Sequence, residues 1–316
     1  MTEDKQNTAS PEGGSFWILE APERCVRGEL IADVGERLEV RLTAELVADP
    51  RIVISRAADG RVVGWGKTAS AADSVEAFRP VTLQGRLDTG LAVTMLSAHN
   101  HAGGGPLHPP RYLADVAVFG AHVDGDEQCY SAIRFRVDHP YWLGHLGDSP
   151  PSTVDDHGST LVIEMADEGN WLAYTSSAPA TLRELEIRIV SACLALFRLA
   201  IDRELEIRET QVRVDTEGAW FPVQGSGFSA PPYGMDPRVL LPREELTVER
   251  LAKWIALNET LDGLAWSVAR PVKAVLQIEA LVATSLVEGL HRRLPYQQLK
   301  FPDASTKDAL RNNVYF

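Results

Sequence analysis

The sequence predicts an α+β protein: an antiparallel β-sandwich or barrel-like N-terminal domain followed by a mainly helical C-terminal region. Three observations carry this. The front half holds about eight short apolar runs at roughly ten-residue spacing, each bounded by turn residues. The stretch GDSPPSTVDDHGS, from Gly147 to Ser159, combines prolines, glycines and acids with no apolar period. Beyond Ala180 the apolar residues recur at three and four instead of two. At 316 residues the chain has room for two units of about 150 residues. The expected division is a disordered tail over 1–14, a β-rich domain over 15–146, a linker over 147–159 and a mixed, mainly helical region over 160–316.

The elements follow in order. The tail is polar and rich in small residues. Phe16–Leu19 and Val26–Ile31 are the first apolar runs. In Leu38–Val47, Leu38, Val40 and Leu42 alternate with Glu39 and Arg41, the period of a half-buried strand. Ile52–Ser55 and Val62–Trp65 flank Asp59-Gly60 and predict a hairpin. Further strands are expected over Pro80–Arg86, Gly90–Ala98, Leu113–Val123 and Tyr130–Val137. After the linker, TLVIEM (from Thr160) and NWLAYTS (from Asn170) predict one more hairpin. Leu182, Leu185, Ile189, Cys193, Leu196 and Leu199 then share one face of a helix. Glu206–Asp215 returns to a strand pattern, and a loop rich in glycine and proline covers Gly225–Pro237. Thr247 caps a helix running towards Leu261, a second helix ends near Arg270-Pro271, and a long one runs from Val272 towards Leu294. Its apolar residues Val275, Ile278, Leu281, Val282 and Leu286 suit packing within the chain or against a second copy, which leaves a homo-oligomer open. Ser305 and Asp308 form a capping box for a further helix. The chain stops at Phe316, so the ending is read as a truncation or as the edge of something larger.

Composition narrows the function. The chain has 31 Lys and Arg against 44 Asp and Glu, a formal charge of -13. A field of that sign repels phosphate backbones, so no direct nucleic-acid surface is expected. Cys25, Cys129 and Cys193 are odd in number and far apart, which encodes neither a disulfide framework nor a zinc ribbon and fits a reducing cytoplasm. No basic start with an apolar run follows Met1, and no window approaches the roughly 18 apolar residues of a membrane span. The expected location is cytoplasmic, with no membrane partner.

Candidate chemistry is sparse. In SAHNHAGGGPLH, His99 and His101 leave a strand two residues apart, so both rings face one side, and His108 is a third candidate metal ligand. The glycines Gly103–Gly105 stand where a cupin has its glutamate, and no βα units of an amidohydrolase surround the pair. Asp115 is the nearest carboxylate, and a polar loop is the plainer reading. Arg134 and His139 fit an R-x4-H pattern, but on a run that alternates as a strand. No G-x-S-x-G elbow, P-loop, H-E-x-x-H or C-x-x-C occurs. Glu288 and His291-Arg292-Arg293 cluster at the end of the long helix, where cations complement its dipole. The seven tryptophans, among them Trp17, Trp65, Trp142, Trp171 and Trp254, are expected in or beside the core rather than as a stacking platform. No complete catalytic constellation and no cofactor site is expected.

The front half nevertheless resembles the N-terminal domain of ApeA-type anti-phage defence proteins. The residues concerned are FWILE from Phe16, the Val26, Gly28 and Leu30 turn, Pro80-Val-Thr-Leu83, and YLADVAVFGAHVDGDEQCYSAIRFRVD from Tyr112, leading to a helix at Tyr141–Leu143. The Trp254 helix and the segment LVEGLHRR are similar to the region after that domain. The resemblance implies a sensor or regulatory portion joined to a HEPN ribonuclease, held inactive until a phage-derived trigger appears. It also implies an Arg-Asn-x-x-x-His motif beyond Arg293. Here Arg311-Asn312 is followed by Asn-Val-Tyr-Phe and no histidine. The expected function is therefore control of a ribonuclease domain or subunit absent from this chain. The alternatives are a stand-alone β-sandwich module binding a sugar or a protein, and a metal-dependent hydrolase using His99, His101 and His108.

Overall fold

Six antiparallel strands, each with apolar residues at alternate positions, close on themselves as a barrel. The computed structural model describes residues 11–32, 37–46, 52–59, 61–67, 79–101, 110–137, 146, 149–166, 169–201, 205, 207–225, 240–261, 264–269 and 276–293. The barrel strands are β1 (Glu12–Ile18), β2 (Ala21–Ile31), β3 (Leu38–Leu42), β6 (Val81–Leu87), β7 (Ala92–Asn100) and β8 (Arg111–Ala114). Their order is β7-β6-β1-β2-β3-β8, and the pairs His99–Leu113 and Asn100–Tyr112 return β8 to β7. Closure removes the exposed edges of an open sheet. Phe16, Leu30, Val40, Leu42, Leu83, Val93, Met95 and Tyr112 fill the interior. β1 reaches back to Glu12, inside the segment expected to be disordered. The hairpin expected around Asp59 is β4 (Ile52–Arg56) with β5 (Val62–Lys67), a separate two-stranded sheet.

The expected strand over Leu113–Val123 is two strands. β8 ends at Ala114, Asp115 is a bend, and β9 (Val116–Phe119) leaves the barrel while still paired to the first half of β7. From β9 a second sheet extends in the order β9-β15-β14-β10-β13-β12-β11. Its members are β10 (Cys129–Val137), β11 (Ser152–Thr153), β12 (Thr160–Ala166), β13 (Gly169–Thr181), β14 (Ile207–Arg213) and β15 (Phe221–Gly225). Successive strand side chains point to opposite faces. β7 and β9 therefore serve both cores: Met95 and Ala117 face the barrel, while Leu96 and Val118 join the second core. Gly225 permits the join, because a Cβ there would lie 2.8 Å from the Asp115 carbonyl oxygen.

Helices cover one face of this second sheet. Thr181 caps α1 (Leu182–Leu185) in a capping box with Glu184, a π-helical segment follows at Glu186–Val190, and α2 (Ser191–Ile201) completes the run. Thr247 caps α3 (Val248–Thr260) through Arg250 N, as the sequence predicts. Leu185, Ile189, Phe197, Leu251 and Ile255 pack with Ile133, Phe135, Leu172 and Val212 of the sheet. α4 (Leu264–Ala269) and the end of α5 (Leu276–Arg293) meet α2 in a small third cluster through Leu264 and Leu290. Ile278 and Leu281 of α5 are exposed.

The region over 160–316, expected to be mixed and mainly helical, holds strands as well as helices among its described residues. β12 to β15 lie within it, and β13 and β14 both pair with β10, which precedes the linker. The strand patterns beyond 159 complete a sheet that the front half begins. Among the described residues no helix is long and apolar enough to cross a membrane. Tyr141–Leu143, Ser305, Asp308, Arg311 and Asn312 lie outside the described residues.

Candidate binding cleft and the arginine–tryptophan ladder

The face of the second sheet opposite the helices is covered by its own side chains. Arg134 and Arg136 alternate with Ile133 and Phe135 on β10, so the arginines face outward while the apolar residues enter the core. The Arg134 guanidinium stands 4.5 Å from the ring centroids of both Trp171 and Trp220. Arg136 lies over Trp171 at 4.8 Å and Arg213 over Trp220 at 4.7 Å. Three cations and two indoles thus form one ladder. The quadrupole of each ring attracts the cations over it, by roughly 1–2 kcal/mol where water is largely excluded.

Hydrogen bonds fix the ladder's middle. Arg134 Nη1 donates to Glu164 Oε2 at 2.8 Å, while Nε and Nη2 donate to Gln211 Oε1 at 3.0 and 2.7 Å. Arg136 pairs with Glu209. The R-x4-H pattern is therefore not a nuclease pair on a helix at its arginine end. Arg134 is a strand residue locked between two tryptophans, and His139 lies outside the described residues.

Beside the ladder is a cleft of about 500 Å³. One wall is an end of the barrel, with Glu12, Leu30, Ala32 and Leu91. The other is the outer side of the β14–β15 join, with Arg208, Glu209, Thr210, Gln211, Pro222, Val223 and Gln224, and Phe119 closes the gap. Leu30 and Thr210 are buried, whereas Glu12, Leu91, Arg208 and Gln224 are exposed at the rim. Arg208 is the extra residue of a bulge, falling between the register pairs Arg136–Glu209 and Val137–Ile207. A bulge re-aims the side chain it carries. A concave, largely apolar hollow with a few polar groups is the usual form of a small-ligand site.

Two other clusters are structural. Ser97 adopts φ 48° at the irregular part of β7, and its hydroxyl donates to Asp126 Oδ2 at 2.8 Å. Left-handed backbone at a non-glycine residue costs on the order of 1–3 kcal/mol, which this tie to the loop after β9 helps offset. Trp17 Nε1 donates to Gln84 at 3.2 Å, and the Trp17 ring meets His122 edge-on. In the π-helical segment, burial pushes the Glu186 carboxyl up to about 7 from its ordinary 4.5.

The histidine candidates are only partly described. His99 and His101 are exposed at the end of β7, His101 N donates to the Arg111 carbonyl at 2.7 Å, and His108 lies outside the described residues. Asp115 sits at the β8–β9 bend in an ion pair with Arg37 at 3.0 Å. Among the described residues no three His, Cys, Asp or Glu side chains stand together to hold a metal ion. Trp17, Trp171 and Trp254 are engaged by hydrogen bonds or cations, as core-associated residues are.

The sequence reading missed the ladder and the cleft. The alternation Ile133-Arg134-Phe135-Arg136 places two arginines on one face, but only the register with β13 and β14 brings Trp171, Glu209 and Gln211 to them. Comparison with known proteins adds no relative: no family model, no curated protein and no solved structure matches the chain.

Proposed function

We propose that this chain is the sensor or regulatory part of a HEPN-type abortive-infection system, and that the cleft receives its trigger. The observation that carries the reading is the position of the cleft at the junction of barrel and sheet, whose shared strand pair is β7 with β9. An occupant touches both parts at once, so it favours one arrangement of them over another. That differential affinity is what a regulator needs to shift an attached effector. The resemblance to ApeA-type proteins supplies the effector class, a HEPN ribonuclease domain or subunit.

The test is phage challenge of cells expressing the chain from its genomic locus, compared with Ala32→Trp and Gln224→Trp variants that fill the cleft. Gln224 is exposed, so its replacement leaves the fold intact. Protection by the wild type, lost in both variants at unchanged melting temperature, is the expected result. Equal plating of every phage with and without the gene rules out the defence role. Protection that survives both variants places the trigger elsewhere.

A further inference from the structure

The cleft's polar groups are not equivalent, because the ladder has already committed some of them. Gln211 Oε1 accepts two hydrogen bonds from Arg134. A side-chain amide has one oxygen and one NH₂, and their assignment follows from the hydrogen-bond network. With the oxygen held by a guanidinium that can only donate, the orientation is fixed and the Nε2 donors are the groups left to serve the cleft. Glu209, the acidic member of the same wall, is held by Arg136. Arg208 adds a second donor at the rim through its bulge, opposite a wall of Leu30, Ala32, Leu91 and Phe119.

We infer that the cleft takes a small amphipathic ligand whose head accepts hydrogen bonds, a carboxylate or carboxamide, received by Gln211 Nε2 and Arg208 while its apolar body lies on Leu30, Leu91 and Phe119. This rests on the cleft being the ligand's seat. A head that can only donate, such as an alkylammonium, meets a Gln211 oxygen and a Glu209 oxygen already engaged by Arg134 and Arg136, and is left with Glu12 across the rim. Exposed Glu12 sets a negative charge at the barrel side of the rim, which directs an anionic head to the β14 side.

The test is calorimetric titration of the full chain with octanoate, octanamide and octylamine, which share one apolar body. Octanoate and octanamide are expected to bind and octylamine to bind at least tenfold more weakly, about the value of one charge-assisted hydrogen bond. Gln211→Glu retains an oxygen for Arg134 and removes the donor, so it keeps the fold and is expected to reverse the preference. Octylamine binding as well as octanoate, a Gln211→Glu variant with unchanged preference, or no binding by any of the three overturns the inference. Failure here is separable from failure of the sensor reading. If no probe binds but Gln224→Trp abolishes phage protection, the ligand class is wrong and the site stands. If octanoate binds but Gln224→Trp leaves protection unchanged, the ligand class stands and the trigger is seated elsewhere.

Discussion

Phe16 is the residue on which the barrel's interior can be tested most sharply. It is fully buried, and its ring lies between two glycines on the flanking strands. A Cβ at Gly85 would fall 2.5 Å from Phe16 Cδ1 and 2.7 Å from Cε1, with Val93 Cγ1 at 3.2 Å. On its other side the ring approaches Gly28, where an added Cβ would stand 3.3 Å from its Cδ2. Gly85→Ala therefore overpacks the site, at about 1–3 kcal/mol, less up to about 1 kcal/mol gained by restricting the unfolded chain. Phe16→Ala costs about 3–5 kcal/mol through lost burial and the cavity left behind. In the double variant the clash is gone and the new methyl fills part of the cavity. Gly85→Ala then becomes neutral or stabilising, and the coupling energy reaches about 2 kcal/mol. Urea denaturation followed by far-UV circular dichroism measures all three variants, with Phe16→Leu as a milder background if Phe16→Ala is unfolded. Single effects that add to within about 0.5 kcal/mol refute the argument that the ring occupies the space over Gly85.

Further outcomes follow from the second sheet and its helices. Arg134→Lys keeps the charge but loses the planar fork that meets Gln211 and stacks on two indoles, and is expected to cost about 2 kcal/mol, read as a lowered urea midpoint. Trp254→Phe removes the 2.7 Å bond from its indole N–H to the Ala192 carbonyl and is expected to cost about 1 kcal/mol in the same assay. Glu186 gives a pH dependence of defined sign. Its folded pKa is raised to about 7 against an ordinary 4.5, so between these values the folded state holds a proton that the unfolded state has lost. Stability therefore falls as pH rises through that window, by on the order of 3 kcal/mol, and the penalty is fully present above it. Glu186→Gln is expected to match wild type at pH near 4 and to melt higher at pH 8; equal melting temperatures at pH 8 refute the burial argument.

Local pattern revealed most individual elements, and pairing decided what they built. The alternation of Leu38, Val40 and Leu42, the hairpin strands on either side of Asp59 and the Thr247 cap each depend on a few residues, and each appears in place. The break at Asp115 was not legible, because one continuous apolar run over Leu113–Val123 serves two strands whose partners differ. β15 was missed for another reason. Phe221–Gly225 is short, contains Pro222, and is held by partners on both sides, β14 and β9, that lie far from each other in sequence. The same non-locality hid the ladder: Arg134, Glu164, Trp171 and Gln211 come from four strands, and nothing in the spacing of the chain brings them together. The candidate histidines were legible as a motif only because they are adjacent in sequence, which is no measure of whether a site forms.

The ladder also bears on how an occupied cleft would be felt elsewhere. Arg134 alone bonds to Glu164 on β12 and Gln211 on β14, and it stacks on Trp171 of β13 and on Trp220 just before β15. A ligand drawing on Gln211 therefore acts on a residue tied to most of the second sheet's outer face. On the inner face the same strands carry Phe135, Leu172 and Val212, which pack directly against α1, α2 and α3. Close packing transmits a displacement of one layer to the next instead of absorbing it. The route from cleft to helices is thus a single side chain and one sheet thick, and it passes through two indoles. Ligand binding should consequently change tryptophan emission in the wild type and leave it unchanged in Arg134→Ala, even where that variant still binds octanoate. An emission change that persists without Arg134 would show that the barrel, through β7 and β9, carries the signal instead.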